Sequence, residues 1–237
     1  MLVSFNTAQK RIKIYLVGDS TIAQKAVNKF PETGWGMPFT WFFNKNANVD
    51  NRAKNGRSTQ SFIDEGLWKP ILDSLQADDY VLIQFGHNDE VQTKKAATTP
   101  LQFQKNLKRY VNETRAKKAN PILITPVARL RFDSTGKVVD THKEYAQIVR
   151  NVAQEMQVPL IDLSEKSLAL LQELGEDKST MLFLQLTKGQ NPNYPEGVKD
   201  KTHFSELGAR YMAQLVAGEL VRMKSPLCSY LANADKL

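Results

Sequence analysis

Five short apolar, β-branched runs, separated by stretches of helical periodicity, constrain this chain more than any other feature. They lie at residues 12–17, 48–53 (the weakest), 80–85, 121–127 and 159–163. Runs this short and nearly continuous, flanked by helices, read as parallel strands buried on both faces. The helices between them carry end signals. Thr99, Pro100 and Gln102 supply an N-cap, a first-turn proline and a capping box, ahead of Phe103, Leu107, Tyr110 and Val111 on one face. Thr141 and Glu144 form a second capping box, ahead of Tyr145, Ile148, Val149, Val152 and Met156. A last helix is expected over about residues 205–223, with Leu207, Tyr211 and Leu215 at i, i+4 and i+8. No repeat, low-complexity tract or Pro/Gly/Ser linker interrupts the pattern. The expectation is an α/β protein: residues 11–237 as one three-layer α/β/α (flavodoxin-like) domain with a five-stranded, doubly wound parallel sheet.

Composition excludes several chemistries. Cys228 is the single cysteine of the 237 residues, so an intramolecular disulfide, a Cys-based zinc site and a CxxC redox pair are excluded. Three histidines leave little room for a multi-His metal cluster. The 32 Lys and Arg against 25 Asp and Glu give a net charge of +7. The densest basic stretch, Lys105, Lys108, Arg109, Arg115, Lys117 and Lys118, falls in an amphipathic helical pattern and reads as a solvated face. No aromatics alternate with it as an RNA-binding sheet requires, so no nucleic-acid partner is expected. No run approaches the roughly 18 apolar residues of a membrane span. The opening residues 1–10 read as a tail or as the remnant of a secretory signal cleaved near Ala8; the second reading makes the protein secreted or periplasmic.

In a doubly wound sheet, ligands sit at the carboxyl ends of the strands. The first run ends in Val17-Gly18-Asp19-Ser20-Thr21, where a glycine permits a sharp turn and the next helix is expected to begin at the serine. The second ends in Asn55-Gly56-Arg57, where Gly56 lets a backbone N–H approach a ligand. The third ends in Gly86-His87-Asn88-Asp89. Near the C-terminus, Asp200-Lys201-Thr202-His203 precedes the last helix, spaced so that the Asp can accept from one imidazole nitrogen and leave the other as a base. Singly, each has an ordinary explanation as an N-cap, a turn glycine, a turn or a capping aspartate. Together, at one sheet edge, they fill every role of acyl transfer: nucleophile, base, orienting carboxylate and oxyanion donors.

In this order the four blocks resemble those of the SGNH (GDSL-type) hydrolases, over roughly residues 12–220. Gly-Asp-Ser-Thr, Gly-His-Asn-Asp and Asp-x-Thr-His-Phe look like the rhamnogalacturonan acetylesterase branch, as do Gly34-Trp35-Gly36, Thr125-Pro126-Val127 and Gly208-Ala209. The branch's paired arginines stand here as Arg129-Leu130-Arg131, so no arginine role is carried over. The resemblance implies the SGNH hydrolase fold, with Ser20 as nucleophile, His203 as base and Asp200 as its orienting carboxylate. It implies an oxyanion hole of the Ser20 and Gly56 N–H groups and the Asn88 amide, with Asp19 and His87 in support. It further implies an acetyl-enzyme intermediate, no metal or organic cofactor, and an acetylated polysaccharide or oligosaccharide as the partner, pectic rhamnogalacturonan above all. Two other readings compete: a general short-chain carboxylesterase or deacetylase of xylan or another glycan, and a non-catalytic glycan-binding module. His142 is expected at the surface, and Trp35, Phe39, Trp41, Phe183 and Tyr194 are either core or sugar-stacking residues.

Overall fold

A computed structural model describes residues 10–236. In chain order the strands are β1 (Ile12–Gly18), β2 (Ala47–Asn51), β3 (Tyr80–Gln84), β4 (Asn120–Ile124), β5 (Leu160–Ile161), β6 (Phe183–Leu186) and β7 (Val198–Phe204). The helices are α1 (Gly36–Phe39), α2 (Thr59–Asp64), α3 (Lys69–Ser74), α4 (Pro100–Ala116), α5 (Lys143–Glu155), α6 (Leu163–Ser179, broken at Gly175) and α7 (Glu206–Arg222). The tail and its expected cleavage site near Ala8 lie outside the described residues. Among the described residues, no helix is long and apolar enough to cross a membrane.

The first five strands form one parallel sheet in the order β2-β1-β3-β4-β5. Alternation along β1 buries both faces. Ile14 and Leu16 pack with Trp35, Phe39 and the inner face of α7, while Tyr15 and Val17 pack with Phe62, Phe103 and Tyr110 on the other side. Strand β2 is polar and half-buried because it is the sheet edge and has one neighbour. The order reverses at β1, whose two neighbours are the next strands in sequence; this is the switch point where a crevice opens beyond the carboxyl ends.

Four local expectations are corrected. No helix begins at Ser20. The chain makes one turn, with Ile22 and Ala23 N–H donating to the Asp19 carbonyl, and then runs irregularly. Gly34 passes so close that a Cβ there would stand 2.2 Å from the Ala23 carbonyl oxygen, leaving no room for a helix. The Thr141–Glu144 capping box does not form. Asp140 accepts from His142 N–H, and α5 starts one residue later, with His142 as N-cap. On α7, Leu207 and Tyr211 face outward, and the buried face is Gly208, Ala209, Met212, Ala213, Val216 and Ala217. The reason is close approach: a Cβ on Gly208 would meet the Leu182 carbonyl oxygen at 1.8 Å. Finally, the segment holding Asp200 and His203, outside the five expected strands, is itself a strand, β7, paired antiparallel with β6 beside the main sheet.

Candidate active site

Gly18 ends β1 directly against β3, where a Cβ would lie 2.3 Å from the Gln84 carbonyl oxygen. The chain then turns at Asp19, whose Oδ1 accepts from Thr21 N–H at 2.9 Å and from the Thr21 hydroxyl at 2.8 Å. Thr21 is held in turn by a buried relay, with Gln84 Nε2 donating to its Oγ1 at 3.0 Å and Trp35 Nε1 donating to Gln84 Oε1 at 2.7 Å. These bonds fix the backbone around Ser20 and leave its hydroxyl facing a cavity of about 380 Å³.

The hairpin places an imidazole against Ser20. The Ser20 hydroxyl lies 2.8 Å from His203 Nε2, and His203 Nδ1 lies 2.7 Å from Asp200 Oδ2. The ionised Asp200 accepts, so the proton is assigned to Nδ1 and the Nε2 lone pair faces Ser20. Asp200 Oδ1 accepts from the N–H groups of Thr202 and His203 at 2.7 and 2.9 Å. Burial pushes the Asp200 carboxyl up, but the His203 imidazole and these two N–H groups outweigh it and hold the pKa at about 2. The Asp–His–Ser chain is thus poised with an anionic carboxylate at neutral pH.

Gly56 and Asn88 complete the cavity wall facing Ser20. Gly56 has φ +76° and open space where a Cβ would be, so glycine is needed for the backbone angle rather than for clearance. Neither Ser20 N–H nor Gly56 N–H donates to another group among the described residues. The Asn88 amide donates to the Arg57 carbonyl at 3.1 Å and accepts from Lys94 Nζ at 3.2 Å, leaving its second N–H for the cavity. Asp89 anchors this loop by accepting from the N–H and hydroxyl of Thr59, at the start of α2, and from the Thr98 hydroxyl.

The other two histidines form a buried pair beneath the same wall. His87 and His142 have ring centroids 4.2 Å apart, and His142 is 1% exposed, contrary to its expected surface position. Its Nδ1 faces Glu90 Oε2 at 2.8 Å, and Arg129 donates to the other Glu90 oxygen and to the His87 carbonyl. Burial would raise the Glu90 pKa, but His142 and Arg129 lower it. His87 Nδ1 stands 3.5 Å from Asp19 Oδ2, and neither His87 ring nitrogen has a hydrogen-bond partner among the described residues. Burial, reinforced by His142, pushes the His87 pKa down to about 4, so the ring is neutral at pH 7.

Every predicted site residue therefore reaches one cavity or its immediate support. Of the aromatics, Trp35, Phe39 and Phe183 are core, Trp41 is exposed with Arg210 over its ring, and Tyr194 donates to the Lys29 carbonyl; none lines the cavity. The basic stretch on α4 is a solvated face, with Lys108 paired to Glu155 and Arg109 to Glu113. Sequence reasoning missed Lys25, Glu32, Glu90 and Lys94. Lys25 has no side-chain exposure and lies under the nucleophile, a position that an irregular segment hides from any periodicity.

Fold and site together define the class of an α/β/α serine hydrolase. The sequence profile of the GDSL-like Lipase/Acylhydrolase family matches residues 16–211. The chain is 39% identical over 228 residues to the rhamnogalacturonan acetylesterase RhgT of Bacillus subtilis (strain 168), covering 96% of this chain and 97% of that protein. It is 38% identical over 216 residues to the probable rhamnogalacturonan acetylesterase YesY of the same organism, covering 90% and 94%. The crystal structure of the Bacillus subtilis protein YxiM superposes with a TM-score of 0.78 at 26% identity, over 92% of this chain and 58% of that one. The acetylxylan esterase Axe2 of Geobacillus stearothermophilus shares the fold, with a TM-score of 0.64 at 17% identity over 89% and 94%. The chain belongs to the GDSL-like lipase/acylhydrolase family.

Proposed function

We propose that the protein is a carbohydrate acetylesterase that removes O-acetyl groups from a plant cell-wall polysaccharide, pectic rhamnogalacturonan, through an acetyl-enzyme intermediate. The observation that carries this reading is the continuous Ser20–His203–Asp200 hydrogen-bond chain facing three unspent donors in one cavity. The Ser20 oxygen attacks the acetyl carbonyl while its proton passes to His203 Nε2. The N–H groups of Ser20 and Gly56 and the Asn88 amide receive the oxyanion. Collapse breaks the C–O bond to the sugar, whose oxygen takes the proton from His203. Water, deprotonated by His203, then attacks acetyl-Ser20; the acyl bond to Ser20 Oγ breaks, Oγ takes the proton back from His203, and acetate leaves. Apart from the hydrolytic water, the proton carrier and the oxyanion donors in these steps are groups of this chain.

The substrate rests on the near full-length similarity to RhgT. Lys94 and Arg129 on the cavity wall and the net charge of +7 support a polymer that carries galacturonate carboxylates. A polymer too large to cross a membrane unaided supports a secreted or periplasmic location. The test is acetate release from a panel of acetylated rhamnogalacturonan, homogalacturonan and xylan, with Ser20→Ala as control. Release is expected from rhamnogalacturonan foremost, and loss of Ser20 lowers it by roughly 10⁶-fold. Preference for xylan, or hydrolysis of small aryl esters only, overturns the pectic assignment.

A further inference from the structure

A buried cation with no part in the proton relay lies behind the oxyanion wall. The Lys25 side chain is fully enclosed, and all three N–H directions of its ammonium are used. It donates to the Ser20 carbonyl at 2.6 Å, to Asn55 Oδ1 at 3.1 Å and to Glu32 Oε1 at 2.6 Å. Burial lowers its pKa, while Glu32, Asp19 and Asp200 favour the charged form. A buried ion pair is a poor way to stabilise a fold, since an apolar side chain of the same volume fills space without desolvating two charges. A lysine held here needs another reason, and its partners supply one.

We propose that Lys25 is the positioning residue of the oxyanion hole, joining the Ser20 main chain to the turn that carries Gly56. The two backbone donors come from different strands, Ser20 after β1 and Gly56 after β2. The Gly56 turn is exposed, and its glycine has φ +76° with nothing packed against it. Several contacts hold that turn: Lys54 N–H donates to the Gly18 carbonyl at 2.9 Å, Asn55 Oδ1 accepts from Lys25, and the Arg57 carbonyl accepts from Asn88, while the Arg57 guanidinium donates to the Asn55 carbonyl and pairs with Glu65 at the surface. Lys25 and Asn88 thus grip the residues on either side of Gly56. Through Lys25, the Gly56 turn is set against Ser20 itself; through Asn88, it is set against the third donor. Glu32 offsets the ammonium charge and fixes its direction, so Lys25 acts by placing the donors rather than by its field. The requirement is strict, because a displacement of about 1 Å in a catalytic constellation can cost roughly 10²-fold in rate.

The proposal rests on the esterase reading, and one assay set separates the two. Lys25→Met and Asn55→Leu are compared with wild type for kcat and KM on an aryl acetate, for inhibition by phenylboronic acid, which forms a tetrahedral anion on Ser20, and for melting temperature. Active sites are counted by fluorophosphonate titration. Lys25→Met is expected to lower kcat by about 10- to 100-fold with KM little changed, and to weaken the boronate in parallel. Asn55→Leu, at an exposed position, is expected to lower kcat and boronate affinity by a smaller factor at an unchanged melting temperature. If Lys25→Met does not fold, Asn55→Leu decides alone. Wild-type kcat and boronate affinity per titrated site in the variants, with losses confined to melting temperature, would overturn the proposal. Failure of the wild type to hydrolyse any acetate ester would instead overturn the esterase reading, and the proposal with it.

Discussion

Asp200–His203 and Asp19–His87 bring the same two side-chain types to one cavity and do different things there. The first pair is aligned at 2.7 Å, partly open to solvent, with its free nitrogen on the Ser20 hydroxyl. The second is closed from solvent and separated by 3.5 Å, and neither imidazole nitrogen has a hydrogen-bond partner among the described residues. In the proposed mechanism, solvent access and alignment let the first histidine gain and lose a proton. Burial keeps the second neutral, and the other oxygen of its carboxylate partner holds the Thr21 turn that shapes the Ser20 backbone. An Asp–His pair becomes a base through what its second nitrogen touches, and residue type alone does not distinguish the two.

Substitutions can break this comparison at three strengths. Asp200→Asn should leave the fold intact and lower kcat by about 10⁴-fold, because the amide no longer fixes the tautomer or stabilises the imidazolium; steady-state kinetics on an aryl acetate checks it. Asn88→Ala removes one oxyanion donor and should cost about 10²–10³ in kcat, with KM less affected. His87→Gln should cost less than either in kcat and should show its effect in the pH dependence of stability. The His87 pKa is depressed from 6.5 to about 4 in the folded protein, so the unfolded chain binds the proton first on acidification. The stabilisation by neutral His87 is present above about pH 6.5 and is lost as pH falls toward 4. Melting temperatures of wild type and His87→Gln across that range should therefore move in favour of the variant as the solution is acidified.

The sequence made the sheet-edge half of the site legible because buried parallel strands leave continuous apolar runs, and the glycines and polar residues that end them stand out. Ile12 starts β1 as expected, and Gly18-Asp19-Ser20, Gly56 and His87-Asn88 all fall at carboxyl ends. The hairpin half was less legible. Lys199 and Lys201 alternate with half-buried Val198, Asp200 and Thr202, which is a strand pattern, but the seven residues of β7 carry one fully buried apolar side chain, Phe204. Hydrophobic periodicity is blind to such a strand. Lys25 and His142 escaped for a related reason: each is buried by polar partners rather than by an apolar stripe, with Glu90 distant in sequence from His142, and Ser20, Glu32 and Asn55 brought to Lys25 through irregular segments. The misjudged face of α7 has the opposite cause, since a helix packed closely through Gly208, Ala209 and Ala213 shows its larger side chains to solvent.

The central claim is that His203, and not His87, activates Ser20. Fluorophosphonate labelling followed by peptide mass spectrometry tests it directly in wild type, His203→Ala and His87→Gln. The geometry predicts stoichiometric modification of Ser20 in wild type and His87→Gln, with none on the same timescale in His203→Ala. Rapid labelling of Ser20 in His203→Ala, or its loss in a folded His87→Gln, would contradict the assignment.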